Sequence, residues 1–499
     1  MHHMNNQFDF LFDKEEESIY DMGLAPLVGA MCESLAIPET INQTLGPRDK
    51  RAVLDFGFIT KAFIIDMLTE RSLLLHFSSA FEDLDCEVLF GEGVTADLFT
   101  EDRLGDTLDA LSELDQREVV SFLSLRALKI HGVPVNLAHI DTTNFSLYGD
   151  FTQENPADES LVQYGKPKNG RKDLKLVTLA GAVQQNGLPI FGEGLSGNTS
   201  DAVWFRDAMD EMASIYSGGL DDNPILVYDA AASNTETFDK AFENHMPCII
   251  RLSKRFGITG ECIQRSWAKD LWQDVGVVAG DNAERASSYR ISSFDVKLGE
   301  NEWRVLIVHS SALERTKEAT ASRKLPEVKE KLSKAAVKLG KRGYDTLEEA
   351  TKAADEFVQA RTGLQTLFGC EVEVGSETIE KYERPGRPGL NTKKIKNTTY
   401  HAIVTIGDVD PCLYQKWLEY ESCFAIAANV PKTRCTDEDL LKEYKHQWKI
   451  ENCYQFVKSP KMLEPLWLHK PERIKALLFI LWMAVLVATY LRHRMHESL

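Results

Sequence analysis

The chain has no surplus of positive charge, no Cys-x-x-Cys pair, no low-complexity tract and no internal repeat. Lys and Arg number 57 against 76 Asp and Glu, a formal net charge of −19, so the total lacks the basic footprint usual for a nucleic-acid binder. Nine cysteines, an odd number without metal-knuckle spacing, argue against a disulfide framework and a zinc knuckle and fit a reducing cytoplasm. Met1-His2-His3-Met4-Asn5 starts no apolar signal region. Long hydrophobic runs are scarce. The one that stands out, Ala476 to Leu491, is shorter than the roughly 20 residues a membrane span needs. Lys470, Arg473 and Lys475 precede it and Arg492 and Arg494 follow, which keeps a membrane anchor as the alternative to the expected buried core helix. What is there is an ordinary globular mix, 43% hydrophobic and 27% charged over 499 residues. It fits roughly three domains and excludes disorder.

The charge is unevenly spread. Residues 1–130 hold 25 acidic and 10 basic side chains, so most of the negative excess belongs to the first third. The remainder is free to carry basic surfaces that grip phosphates. Helical periodicity in Leu54 to Leu75 and Leu108 to Leu128 marks residues 1–130 as an α-helical N-terminal domain, for DNA-end binding or protein contact. From Pro134 the pattern becomes α/β. Val135 to Ile140 reads as a strand ending in Asp141, and Asn144 to Tyr148 as a second. Leu174 to Val183 and Leu188 to Phe191 flank the hairpin signal Asn186-Gly187. Asp201 to Tyr216 reads as a helix capped by Ser200, Ile225 to Tyr228 as a buried strand ending in Asp229, and Cys248 to Leu252 as another strand. Residues 256–415 break this rhythm with four strand-like runs and two charged helices. They read as an inserted, mostly β domain between residues 131–255 and 416–499. Asp437 to Val457 reads as one long helix capped by Thr436.

Asp141 and Asp229 each follow a buried strand of one inferred sheet, at the edge where α/β proteins place their functional crevices. Paired carboxylates there suit a hard divalent cation, although an Asp after a strand also serves as a turn or helix cap. On the helix that starts at Thr436, Tyr444, Gln447, Glu451 and Lys458 fall within an arc of about 60° at about 100° per residue. The arc is also what a solvated helix face looks like.

The spacing Tyr444-x2-Gln447-x3-Glu451-x6-Lys458 resembles the Tyr-x2-Arg-x3-Glu-x6-Lys signature of bacterial insertion-sequence DDE transposases of the IS-four type, in the branch with Gln in place of the Arg. Ile140 to Thr143 with Tyr148-Gly149 is similar to that family's first-Asp block, and Tyr228 to Ala231 to its second. Tyr164 to Lys166 with Arg171 and Asp173 to Lys175, Gly197 to Asp201, and Pro471 to Leu477 resemble further blocks. The resemblance implies a ribonuclease-H-like core and catalytic, metal-binding Asp141, Asp229 and Glu451. Asp141 would be the ligand shared by two Mg²⁺ ions, with Mn²⁺ able to substitute. It implies metal-dependent cleavage at transposon ends and transfer of the freed 3′-OH into target DNA, by a homodimer on duplex DNA in the bacterial cytoplasm.

In that setting Tyr444 orients a phosphate, Lys458 binds a terminal phosphate and Trp448 stacks on a displaced base. Gln447 supplies hydrogen bonds but no charge. Lys166, Lys168, Arg171, Lys172 and Lys175 are candidate DNA contacts near the metals. Arg384-Pro385-Gly386-Arg387-Pro388 with Lys393, Lys394 and Lys396 resembles the core of an AT-hook, which fits a narrow A·T minor groove, with a plain Pro/Gly loop as the alternative. Ser311 to Gly343, with ten basic and four acidic residues, reads as a phosphate-facing or merely solvated helix. Two other readings share the residues: a metal-dependent nuclease without strand transfer, and a catalytically silent DNA-binding regulator.

Overall fold

Acidic caps account for part of the charge bias of the first third. The computed structural model describes residues 21–46, 54–70, 72, 76–132, 135–147, 161–168, 170–184, 187–216, 218–278, 286–382, 394–447 and 470–498. The first third contains α1 (Ala25–Ser34), α2 (Ile37–Leu45), α3 (Phe56–Leu68), α4 (Cys86–Phe90), α5 (Glu101–Ser112) and α6 (Gln116–His131). Asp55, Asp85 and Asp115 accept backbone N–H groups at the starts of α3, α4 and α6, and Thr100 does so for α5. Each satisfies a donor the helix leaves open, and the carboxylates also sit at the positive end of the helix dipole. α3 is buried on nearly every side, including Lys61, whose Nζ donates to Glu33 Oε1 and Leu89 O, both at 2.5 Å.

The α/β part begins with β1 (Leu137–Leu147), β2 (Lys175–Gln184), β3 (Pro189–Ser196), α7 (Asp201–Ile215), β4 (Ile225–Tyr228), α8 (Thr235–Glu243), β5 (Cys248–Leu252) and α9 (Gly257–Ala268). Next come β6 (Gln273–Val277), β7 (Ser288–Leu298), β8 (Asn301–Ser310), α10 (Ser311–Gly340), β9 (Gly343–Tyr344), α11 (Leu347–Gln359), β10 (Phe368–Tyr382) and β11 (Lys394–Val409). The chain continues through α12 (Pro411–Glu421), β12 (Cys423–Ala428), α13 (Asp437–Lys445) and α14 (Pro471–Ser498). Among the described residues a nine-stranded sheet runs β3-β2-β1-β4-β5-β12-β8-β7-β6, and a small second sheet runs β10-β11-β9. β4 is parallel to β1 and to β5, while the other pairs are antiparallel.

Four sequence expectations need correction. The two strands expected around Asp141 are one, because β2 pairs with β1 from Ala138 to Leu147 and holds the β-branched Thr142 and Thr143 extended. Residues 256–415 are not mostly β. Helices and strands share them, and β6, β7 and β8 join the main sheet through β12. Val305 to Val308 is buried on both faces, so that strand needs a layer on each side. Ser200 stands at the start of α7 but makes no side-chain cap. The helix capped by Thr436 stops at Lys445. There the His446 N–H is shared between Lys442 O and Glu443 O, and Gln447 N–H closes a tighter bond onto Tyr444 O.

α14 is long and apolar enough to cross a membrane by length and composition, yet 83% of its apolar window is buried inside the protein. It packs on α1, α3, α5, α6 and β3. Arg473 anchors its start by a bidentate pair to Asp109 on α5, both contacts at 2.6 Å. Trp482 lies flat on Gly181 and Gly192, which face each other across β2 and β3. A Cβ at either glycine would fall within 2.2 Å of the indole, so these positions require glycine by close approach. The other face of the sheet carries a second core, which includes Trp204, Phe205, Phe238 and Trp303.

Candidate active site

The parallel register of β1 and β4 sets Ile140 against Tyr228, so the next residues, Asp141 and Asp229, stand side by side. Parallel neighbours lie roughly 4.8 Å apart. β4 ends at Tyr228, and Asp229 turns the chain into a short 3₁₀ turn, where its Oδ1 accepts from Ala231 N at 2.8 Å. It is thus a cap and a cleft residue at once. Asp141 Oδ1 accepts from Thr142 N at 2.8 Å. Thr142 Oγ1 donates to Asp201 Oδ1 at 2.6 Å, which brings a third carboxylate to the back of the pair. Lys168 Nζ donates to Thr142 O and lies 3.7 Å from Asp141 Oδ1.

Burial raises Asp141 to about 6, against the pull of Lys168 and with a further push from Asp229. Burial also raises Asp229, while the Ala231 N–H and Lys168 lower it. Two partly buried carboxylates held side by side are a poor resting place for two negative charges and a good one for a divalent cation. Their hard oxygen donors suit Mg²⁺ or Mn²⁺. Among the described residues no three His, Cys, Asp or Glu side chains form a metal-holding group.

Asp141 and Asp229 line an open cleft of about 470 Å³ together with Lys168, Arg251, Lys254, Phe424, Tyr444 and Gln447. Arg251 rises from β5. Its Nη1 donates to Tyr444 Oη at 3.3 Å, and its guanidinium lies 5.3 Å from the centre of the Phe424 ring. Burial raises the Tyr444 hydroxyl, while Arg251 lowers it. An acidic floor, a cationic wall and an aromatic brace suit a phosphodiester, whose charge the cations can hold while its phosphorus faces the carboxylates.

Of the candidates from sequence, the fold brings together Asp141, Lys168, Asp229, Tyr444 and Gln447. Gln447 reaches the cleft from the turn after α13, not from a helical stripe. Lys166, Arg171 and Lys175 do not line it. The Lys166 carbonyl accepts from Asn144, Arg171 forks onto Asp173, and the Lys175 ammonium lies 5.9 Å from the centre of the Tyr164 ring. Glu451, Trp448, Lys458, Arg384, Arg387 and Lys393 lie outside the described residues, as does the Lys394 side chain. Arg251, Lys254 and Phe424 escaped the sequence reading. The one available signal was a lone Arg in the apolar strand Cys248-Ile249-Ile250-Arg251-Leu252.

A family described as a domain of unknown function (DUF4277) matches residues 17–125. No curated relative matches the chain at a significant level. A solved structure, the synaptic complex of piggyBac transposase with hairpin DNA, aligns with 58% of this chain at 14% identity and a TM-score of 0.29. The alignment spans 61% of that protein's length. So loose a superposition fixes neither fold nor chemistry.

Proposed function

We propose that the chain is a DDE-type DNA transposase with a ribonuclease-H-like core, acting on the ends of a mobile element and on target duplex DNA. The observation that carries the reading is the juxtaposition of Asp141 and Asp229 where the parallel pair of strands ends, inside a cleft walled by Lys168, Arg251 and Lys254. The strand order β3-β2-β1-β4-β5, antiparallel in its first three strands and parallel in its last three, supports the core assignment.

Asp141 and Asp229, with Glu451 as the third acid, would hold two Mg²⁺ or Mn²⁺ ions. When bound, such ions polarise the scissile phosphate and make water, and then a 3′-OH, a competent nucleophile. Lys168 and Arg251 hold the phosphate oxygens. Tyr444, kept in place by Arg251 and the Phe424 ring, turns its hydroxyl toward the same space. Gln447 adds a neutral hydrogen bond at the rim. Cleavage and joining then follow one another at one site without a covalent protein–DNA step. A homodimer on paired DNA ends and a cytoplasmic location belong to the same proposal.

Strand cleavage of element-end duplexes with Mg²⁺ or Mn²⁺, and joining of a pre-cut 3′-OH end to a second duplex, test it. Both activities should vanish in Asp141→Asn and Asp229→Asn. Hydrolysis without joining would favour a nuclease on the same fold. Cleavage that survives Asp141→Asn would remove the site.

A further inference from the structure

α10 presents a basic stripe that the cleft does not use. Its buried residues, Ala321, Leu332 and Ala336, mark the face turned to the protein. At about 100° per residue the opposite face carries Arg315, Arg323, Lys334, Lys338 and Lys341, spread over an arc of about 140°. All five are exposed. Two acids share the stripe, and each is engaged locally: Glu327 by Lys331 at 2.6 Å and Glu330 by Lys334 at 2.5 Å. Among the described residues, Arg315, Arg323, Lys338 and Lys341 make no ion pair. From Arg315 to Lys341 the stripe is about 39 Å long at 1.5 Å per residue. That matches about 11 base pairs at 3.4 Å each, or one turn of duplex.

The start of α10 is tied to the rim of the cleft. Lys317 Nζ on α10 and Lys254 Nζ in the cleft wall share the Glu421 carboxylate, at 2.5 and 3.6 Å. The stripe therefore leads away from the place where the cleft would hold a phosphate. Cations that make no ion pair among the described residues, spaced along one 30-residue helix with Pro326 inside it, gain most from a ligand with regularly repeated negative charge.

We propose that the outer face of α10 is a sequence-independent docking surface for the phosphate backbone of duplex DNA next to the scissile site. This rests on the transposase reading above for the identity of the duplex, while its test needs no catalysis. The probe is a fluorescein-labelled duplex of about 30 base pairs of arbitrary sequence, titrated with the full chain in EDTA over a range of salt. The slope of log K against log salt becomes shallower by about 0.9 for each phosphate that the protein no longer neutralises. Arg315→Gln/Arg323→Gln/Lys338→Gln/Lys341→Gln should flatten the slope by about 2–4 and weaken binding at 0.1 M salt on the order of tenfold or more. Arg315→Lys/Arg323→Lys/Lys338→Arg/Lys341→Arg, which keeps the charges, should retain both.

An unchanged slope in the Gln variant overturns the proposal, even where the wild type cleaves DNA. So does a variant whose main change is a lower oligomeric state, which would make the stripe a dock for the acidic region of a second copy. A flattened slope in a chain that cleaves no duplex with Mg²⁺ or Mn²⁺ keeps the docking surface and sinks the catalytic reading instead.

Discussion

Replacing Asp141 with Asn should stabilise the metal-free protein while abolishing its chemistry. The side chain is 16% exposed, and burial lifts its proton affinity from the ordinary 3.8 to about 6. The folded chain therefore binds that proton more tightly than the unfolded chain does. The sign follows from linkage: stability falls as pH rises from about 4 to about 6, and above that the full cost of the charge remains. A rise of that size amounts to about 3 kcal/mol. Asn keeps an acceptor for Thr142 N and removes the charge. The pull of the half-exposed Lys168 is already contained in that figure. A gain of about 3 kcal/mol at a pH of about 7.5 is expected. Urea denaturation in EDTA, near pH 7.5 and again near pH 4, measures it, and the gain should disappear at the lower pH. Adding Mg²⁺ or Mn²⁺ should then reverse the order, because a ligand that binds the folded wild type alone stabilises it by mass action. A destabilised variant near pH 7.5, a gain that persists near pH 4, or equal stabilisation of both proteins by metal would refute the reasoning.

Asp66 gives the matching control. Burial raises it to about 6 against hydrogen bonds from Ser72, so Asp66→Asn should also raise the urea midpoint near pH 7.5 and not near pH 4, but with no response to metal. Tyr444→Phe keeps the ring beside Phe424 and removes the hydroxyl that accepts from Arg251; cleavage should fall by about tenfold with stability changed by less than about 1 kcal/mol. Gly192→Ala would put a Cβ 2.0 Å from Trp482 Nε1 and should cost about 3 kcal/mol or more, at or beyond the upper end of ordinary overpacking. In a Trp482→Leu background that cost should shrink sharply, and additive effects in the double-mutant cycle would contradict the packing of α14 on β2 and β3.

The elements were legible wherever local chemistry sets the backbone. Alternating or wholly apolar runs marked β2, β4 and β5. Thr436 marked a helix start, and Gly187, at φ +88°, marked the turn between β2 and β3. Asp141 and Asp229 were legible because a lone acid after a buried apolar strand is costly unless it has work to do at the sheet edge. Tyr444 and Gln447 entered through motif spacing, and both reach the cleft, although the helix that was to carry them ends between the two.

Other features depended on partners far along the chain. That Asp141 lies inside a strand depends on β2 reaching Leu147. That β8 belongs to the main sheet depends on β12, which follows it only after α10, β9, α11, β10, β11 and α12. Arg251 is a lone Arg in an apolar strand until Tyr444 and Phe424 come against it. Ala476 to Leu491 left a membrane anchor open as the alternative to a core helix; packing on the first third of the chain and on the glycines of β2 and β3 makes it the latter. Period and capping act over a few residues, so sequence determines them directly. Register, and what covers a face, are settled by competition among distant segments for the same buried surface.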